Sequence, residues 1–282
     1  MDFPLQLAAE VQRNVLVALA EDIGGGDLTA LLSPADKRSL GTVVSRENAV
    51  LAGTAWFDSC FRRLDPLTEI RWNLRDGDPI GAGEIVCEIE ANTRALLTAE
   101  RAALNFLQLL SATATVTRLH VDAVAGTHAR IVDTRKTLPG LRLAQKYAVT
   151  CGGGSNHRLG LYDGILIKEN HIAAAGGVTA ALEQARAIGR NDVFIQIEVE
   201  SLEQLAEALD SGATMILLDN MDLAQMRQAV GLTAGRAQLE ASGGVSLETV
   251  RAIAETGVDR ISIGGLTKNV HAIDLSLRHS EG

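Results

Sequence analysis

Apolar residues recur at three- and four-residue spacings through 99–124 (Leu104, Leu107, Leu110, Ala114), a stretch with neither Gly nor Pro, and this predicts one long helix. Ahead of it the pattern is mixed. An amphipathic opening around 5–20 is followed by short alternating runs, GTVVSREN at 41–48 and EIVCEIEA at 84–91, with D-G-D-P and G-A-G turns at 76–83. Residues 1–95 therefore read as a small α+β domain, and the long helix as its joint to the rest.

From 129 onward the period changes. Six β-branched runs follow one another, at 129–134, 164–169, 194–200, 214–220, 237–243 and 260–265. Helical segments lie between them at 178–188, 201–212 and 246–257; Ser201 and Ser246 are the expected N-caps of the last two, with Gly212 and Gly257 as stops. Strands alternating with helices imply a parallel sheet with crossover connections. Nearly every run ends in a polar or glycine-rich tip, which favours an incomplete barrel over an open doubly wound sheet. In a barrel all strand ends meet at one mouth, whereas an open sheet concentrates its functional groups at a switch point.

Composition narrows the function. A chain of 282 residues and 29.9 kDa, 46% hydrophobic and 22% charged, can bury a core without staples. Aromatics at 3% are too few for base-stacking platforms, and a net charge of −9 disfavours a polyanion surface, so nucleic acid is not an expected partner. The charge is uneven, however. Residues 130–168 hold seven Arg and Lys against two Asp, a local +5 that leaves −14 elsewhere, and such a window in an acidic protein suits a small anionic ligand. Cys60, Cys87 and Cys151 form neither a disulfide framework nor a thiolate metal site. No basic n-region with an apolar run opens the chain, and the apolar stretch 102–117 falls short of a membrane span. A cytoplasmic enzyme is the expectation.

The tips carry the candidate chemistry: Asp133-Thr134-Arg135-Lys136, Lys168-Glu169-Asn170-His171, Glu198-Val199-Glu200, Asp219-Asn220, Glu240-Ala241-Ser242-Gly243-Gly244 and Gly264-Gly265. Glu198 and Glu200 are two apart, so a strand places both on one face, where Arg135, Lys136 and Lys168 would keep them ionised. An ion-pair network that merely holds the barrel together is the alternative. Ser242-Gly243-Gly244 ahead of a helix from Ser246, and Gly264-Gly265 ahead of a helix near 270, present bare N–H groups in the manner of a barrel phosphate cradle. The three glycines of YAVTCGGGSNHR (147–158) suggest close backbone approach to a ligand or a neighbouring subunit. His157 and Arg158 beside them read as donors to a carboxylate or phosphate. No spacing suits zinc, and no Ser-His-Asp order is enforced.

Taken together, EDIGGGDLT (21–29), ERAALNFLQLLSATAT (100–115), the string DTRKTLPGLRLAQKYAVTCGGGSNHRLGLYDGILIKENHI (133–172), IEVES (197–201), LLDNM (217–221), LEASGGV (239–245) and ISIGGLTKNVHAIDLSL (261–277) resemble the quinolinate phosphoribosyltransferases, the carboxylating nicotinate-nucleotide pyrophosphorylases. The resemblance implies a pentosyltransferase of NAD biosynthesis that converts quinolinate and phosphoribosyl pyrophosphate (PRPP) to nicotinate mononucleotide, pyrophosphate and carbon dioxide. It implies an N-terminal α/β sandwich at 1–98, joined by a C-terminal helix at 270–282, and an incomplete TIM-like barrel at 99–269. It implies a homodimer with active sites shared between subunits, open to higher assembly, and magnesium brought with PRPP. Arg135, His157, Arg158 and Lys168 match residues that hold the quinolinate carboxylates, with Arg101 reaching in from the partner subunit. Lys136 matches a lysine between the substrates; with Glu198 and Asp219, which match acids facing the ribose, it forms the expected catalytic set. Ser242, Gly243, Gly264 and Gly265 match backbone that binds the 5′-phosphate, and Glu200 extends the acidic face. A different base as substrate, or a phosphometabolite sensor without turnover, are the rival readings.

Overall fold

A computed structural model describes residues 3–190 and 192–280. Its contacts divide the chain into two compact units, Met1–Arg118 with Thr137–Gly153 and Asn269–Gly282, and Leu119–Lys136 with Gly154–Lys268.

In the first unit α1 (Phe3–Ile23), β1 (Arg38–Ser45), β2 (Ala49–Val50), α2 (Thr54–Leu64), β3 (Glu69–Trp72), β4 (Pro79–Ile80), β5 (Ile85–Asn92) and the start of α3 (Thr93–Ala123) follow in order. A later helix, α4 (Arg142–Cys151), and the last strand, β12 (Leu275–Ser280), complete it. The sheet runs β12-β1-β5-β3 with every ladder antiparallel. Trp56, Phe57 and Phe61 of α2 and Leu96, Leu104, Leu107 and Leu110 of α3 are fully or almost fully buried in one core. The Trp56 indole N–H, which burial would otherwise strand, donates to Asn14 Oδ1 of α1 at 3.0 Å.

Three expectations need correction in this unit. Among the described residues the expected helix at 270–282 does not form, its last two positions lying outside them: 275–280 is a strand antiparallel to β1, with Leu277 opposite Val43. The reason is period, because buried Leu275 and Leu277 alternate with more exposed neighbours and a two-residue repeat serves a sheet, not a helix. No break falls at 98 either; α3 starts at Thr93, and residues 137–153 return to this unit. The glycine triplet, finally, approaches the protein itself. A Cβ on Gly152 would stand against the Ala114 carbonyl oxygen and 2.6 Å from Thr117 Cβ, so only glycine lets the end of α4 lie on α3.

The second unit holds β6 (Arg130–Val132), β7 (Gly164–Ile167), β8 (Phe194–Val199), β9 (Met215–Asp219), β10 (Gln238–Ser242) and β11 (Arg260–Ser262). Between and after them come α5 (Glu169–Ala175), α6 (Val178–Ala187), α7 (Leu202–Asp210), α8 (Leu223–Thr233), α9 (Val250–Ala254) and α10 (Gly265–Lys268). The six strands are ordered β6-β11-β10-β9-β8-β7, all ladders parallel. That order is the chain order wrapped round once, as a barrel requires; a doubly wound sheet would reverse at its first strand. The barrel is incomplete because β6 and β7 do not pair. Ser155 bridges to Val132 on the free edge of β6, exchanging hydrogen bonds with Ile131 and Asp133 at 2.9 and 3.1 Å.

Local chemistry sets the helix ends. Ser201 caps α7, its side chain accepting from Gln204 N at 3.2 Å. Ser246 does not start a helix, contrary to expectation. Thr249 Oγ1 takes the Ser246 N–H at 2.9 Å, so 246–249 close into a turn and α9 begins only at Val250. The expected helix near 270 is the four-residue α10, placed earlier.

Candidate active site

Six parallel strands in one sheet bring all their C-terminal ends to a single pole, so the tips from 133 to 265 share one mouth. All candidate residues except Arg101 belong to this unit; Arg101 is exposed on α3 in the first unit, beside Arg13, Asn14 and Gly140.

At the β6 tip Asp133 is fully buried and accepts the His157 backbone N–H at 2.8 Å, which pins the loop carrying His157 and Arg158. Lys136 is exposed, its backbone held by Thr134 Oγ1 at 3.0 Å and by the Thr267 hydroxyl at 2.8 Å. Its stem lies on Gly264: a Cβ there would be 2.9 Å from Lys136 Cδ. The β6 and β11 tips are therefore neighbours, with Gly265 opening α10 directly beyond.

Arg158 is half-buried and donates to the Gly164 carbonyl at 3.0 Å. Burial holds its pKa below the usual arginine value; the positive charge of Arg135 lowers it further, and Asp163 opposes both. Two guanidiniums that repel each other at a strand mouth form a site that an anion relieves.

Lys168 Nζ stands 3.1 and 3.3 Å from the two oxygens of Glu198. The cation expected to favour the ionised form of Glu198 is in place, but it works against burial. Burial pushes its pKa up, Lys168 pulls it down, and Asp219 and Glu169 push it up again, with a net rise. Glu200 lies beyond the last residue of β8 and is exposed, while Glu198 is buried, so strand alternation stops before it can pair them. Asp219 accepts from Asn220 Nδ2 at 2.8 Å. Asn220 has φ +53, and its N–H donates to the Ser242 carbonyl at 3.0 Å. Gly243 lies against it: a Cβ at 243 would run into Asn220 Oδ1.

His157 is buried, and both ring nitrogens face protein atoms: Nδ1 accepts from Arg158 N–H at 2.8 Å and Nε2 lies 2.7 Å from Gln196 Oε1. It is the expected donor to a ligand, and in this structure its two ring nitrogens meet Gln196 and the Arg158 N–H.

Residues 27–111 match the family model for the quinolinate phosphoribosyl transferase N-terminal domain, and residues 113–278 that for the C-terminal domain. The chain belongs to the quinolinate phosphoribosyltransferase family. It is 42% identical to a probable carboxylating nicotinate-nucleotide pyrophosphorylase of Bacillus subtilis, over 91% of this chain and 89% of that one. It is 40% identical to the chloroplastic carboxylating nicotinate-nucleotide pyrophosphorylase of Arabidopsis thaliana, over 95% and 82%. The solved structure of nicotinate-nucleotide pyrophosphorylase from Francisella tularensis superposes with a TM-score of 0.92 at 41% identity, covering 97% of each chain.

For a quinolinate phosphoribosyltransferase family member, the motif strings pointed to the tips but not to what holds them. Asp133 and Asn220 appeared only as tip residues, and Gln196 and Arg260 not at all. The available signal was polarity inside an apolar run: Gln196 is flanked by Ile195 and Ile197 in β8, and Glu240 by Leu239 and Ala241 in β10.

Proposed function

We propose that this protein is a phosphoribosyltransferase that joins quinolinate to PRPP and releases pyrophosphate and carbon dioxide, yielding nicotinate mononucleotide. The observation that carries the reading is the cationic group Arg135, Arg158 and Lys168 at the strand mouth of an acidic protein, with Glu198 and Asp219 at the same pole. A planar dicarboxylate calls for paired guanidinium donors, and Arg135 and Arg158, already repelling each other, supply them. Lys168 would hold a carboxylate while balancing Glu198.

As the bond from the ribose C1 to pyrophosphate breaks, positive charge grows on the sugar. Glu198 and Asp219 would stabilise it from fixed positions, Lys168 orienting the first and Asn220 the second. The quinolinate ring nitrogen takes the vacated bond. Being quaternary, it then accepts the electron pair left when the adjacent carboxylate departs as carbon dioxide, and a proton fills that ring position. The Gly243 and Gly264 loops, kept free of Cβ atoms by Asn220 and Lys136, suit the 5′-phosphate, with Ser242 and Gly265 alongside.

Magnesium fits as a companion of PRPP. Among the described residues no group of three His, Cys, Asp or Glu side chains could cage a metal, and a hard cation held by phosphates and water needs only one or two carboxylates, which Glu198 and Asp219 would provide. When bound it would neutralise the leaving pyrophosphate. Arg101, exposed on the first unit, would complete the dicarboxylate site of a second subunit in a homodimer. Among the described residues no helix is long and apolar enough to cross a membrane, which accords with a cytoplasmic enzyme.

Incubation with quinolinate, PRPP and magnesium tests the proposal. Nicotinate mononucleotide and carbon dioxide should form together. Turnover of nicotinate in place of quinolinate would refute the substrate, and binding without turnover would favour a sensor.

A further inference from the structure

The barrel has a second opening, at the pole where its strands begin. Arg130, Gln238 and Arg260 are the first residues of β6, β10 and β11, and with His128, Asp259 and Ser155 they line a cavity of about 300 Å³. This pole is the far end of the strands from the mouth, so the proposed chemistry makes no use of it.

Register places three charges in one row. Glu240 stands opposite Arg260 in the β10–β11 ladder, and Arg260 opposite Arg130 in the β11–β6 ladder. Paired residues of adjacent strands leave the sheet on the same face, about 5 Å apart, so the two arginine stems rise side by side. One acid serves the row. Arg260 Nε is 3.0 Å from Glu240 Oε2, close enough for an ion pair but misaligned for a hydrogen bond. Asp259 does not balance the second cation: its Oδ2 accepts the Leu239 backbone N–H at 2.7 Å, and its Oδ1 lies 3.7 Å from His128 Nε2. Among the described residues the Arg130 side chain has neither a hydrogen bond nor an ion pair, and the Ser155 hydroxyl and the Gln238 side-chain amide have no protein partner either. Like charges directly opposite each other cost stability, and an anion between them removes that cost.

The donors select the class of anion. Arginine forks suit carboxylate and phosphate alike. A carboxylate, however, brings one charge and two oxygens in a plane, whereas a phosphate dianion brings two charges to the two guanidiniums and further oxygens for Ser155 and Gln238. The volume lies at the small end for ligand pockets, which limits the molecule that carries the phosphate. We infer that the strand-start pole of the barrel is a binding site for a small phosphate-bearing anion held between Arg130 and Arg260, separate from the phosphate cradle at the mouth.

Phenylglyoxal modification of the full-length protein, mapped by peptide mass spectrometry, reads each arginine separately. Inorganic phosphate is the probe, with ionic strength held constant by sodium chloride. Phosphate at about ten times its half-protecting concentration should slow modification of exposed Arg130 about tenfold, by simple mass action. Sodium acetate should not, and Arg227, exposed on α8, should respond to neither. Undiminished reactivity of Arg130 in phosphate, equal protection by acetate, or equal slowing at Arg227 would overturn the inference. Arg260→Lys keeps a cation beside Glu240 but removes the fork, and should raise the half-protecting phosphate concentration at Arg130 about tenfold, the worth of a charged hydrogen bond. The phosphate response of Arg135 and Arg158 at the mouth should stay within about twofold of wild type in that variant, because the opposite pole is untouched. An unchanged midpoint at Arg130 would mean that the two arginines share no anion, and would sink the site. Should Arg260→Lys fail to fold, the wild-type pattern still decides. No step requires turnover, so a failed quinolinate assay would refute the proposed function and leave this site standing.

Discussion

Gly243 and Gly244 form a matched pair on the β10 tip, and alanine at each separates steric need from backbone preference. Both have positive φ, +101 at Gly243 and +59 at Gly244. At Gly244 an added Cβ has nothing within 4 Å, and its φ lies in the ordinary left-handed well, so Gly244→Ala should cost about 1–2 kcal/mol. At Gly243 the backbone lies well outside that well. The Cβ would also collide with Asn220 Oδ1, stand 2.9 Å from Asn220 Cγ and stand 3.2 Å from Asn220 Cα, so a backbone atom must move as well as a side chain. Overpacking of this kind adds about 1–3 kcal/mol to the conformational cost, giving about 2–5 kcal/mol in all. Asn220 cannot yield cheaply, since it is itself at positive φ and holds both Asp219 and the Ser242 carbonyl. Urea unfolding of the two variants gives the stability difference, and steady-state kinetics with PRPP varied give the functional one. Gly243→Ala should be the less stable by at least about 1 kcal/mol and should raise the KM for PRPP about tenfold through displaced Asp219. If the two variants unfold alike, or if the KM for PRPP stays put in Gly243→Ala, the close approach of this loop to Asn220 has no bearing on the site.

Arg158→Ala removes a partner in guanidinium repulsion, so stability should change by less than about 1 kcal/mol while the KM for quinolinate rises about 10- to 100-fold, the worth of a charged hydrogen-bond donor; calorimetry and kinetics read the two. Lys168→Met deprives Glu198 of its chief pKa-lowering neighbour, so the acidic limb of kcat against pH should move to higher pH; an unmoved limb would mean that Glu198 need not ionise. Because the folded protein holds the Glu198 proton more tightly than the unfolded chain does, this group lowers stability as pH climbs from the usual carboxyl value through the raised one; denaturation of wild type against Glu198→Gln between about pH 4 and about pH 7 should show the wild-type stability falling relative to the variant. Mixing Arg101→Ala subunits with Glu198→Gln subunits should restore part of the activity if Arg101 serves the partner's site, and confirmed exchange without recovery would place its role elsewhere.

Much of this protein was legible in its residues taken in order. The switch from helical to alternating period marked the barrel strands, Ser201 announced the start of α7, and charged or glycine tips at the ends of successive β runs foretold a mouth, because parallel strands must all finish at one pole. Such features depend on neighbours a few positions away, and chain order carries them. Tertiary structure decided the rest. Glu198 and Glu200 have the same residue type and the same parity, yet only the first is buried, because β8 ends between them. His157, Gln196, 39 residues on, and Glu240, a further 44, meet inside the barrel, which no local pattern announces. Gly152 looks like a ligand loop until the carbonyl of Ala114 comes up against it. Periodicity determines which element forms and which way its side chains alternate; whether a polar group turns to substrate or to a buried partner is settled only when distant segments close around it.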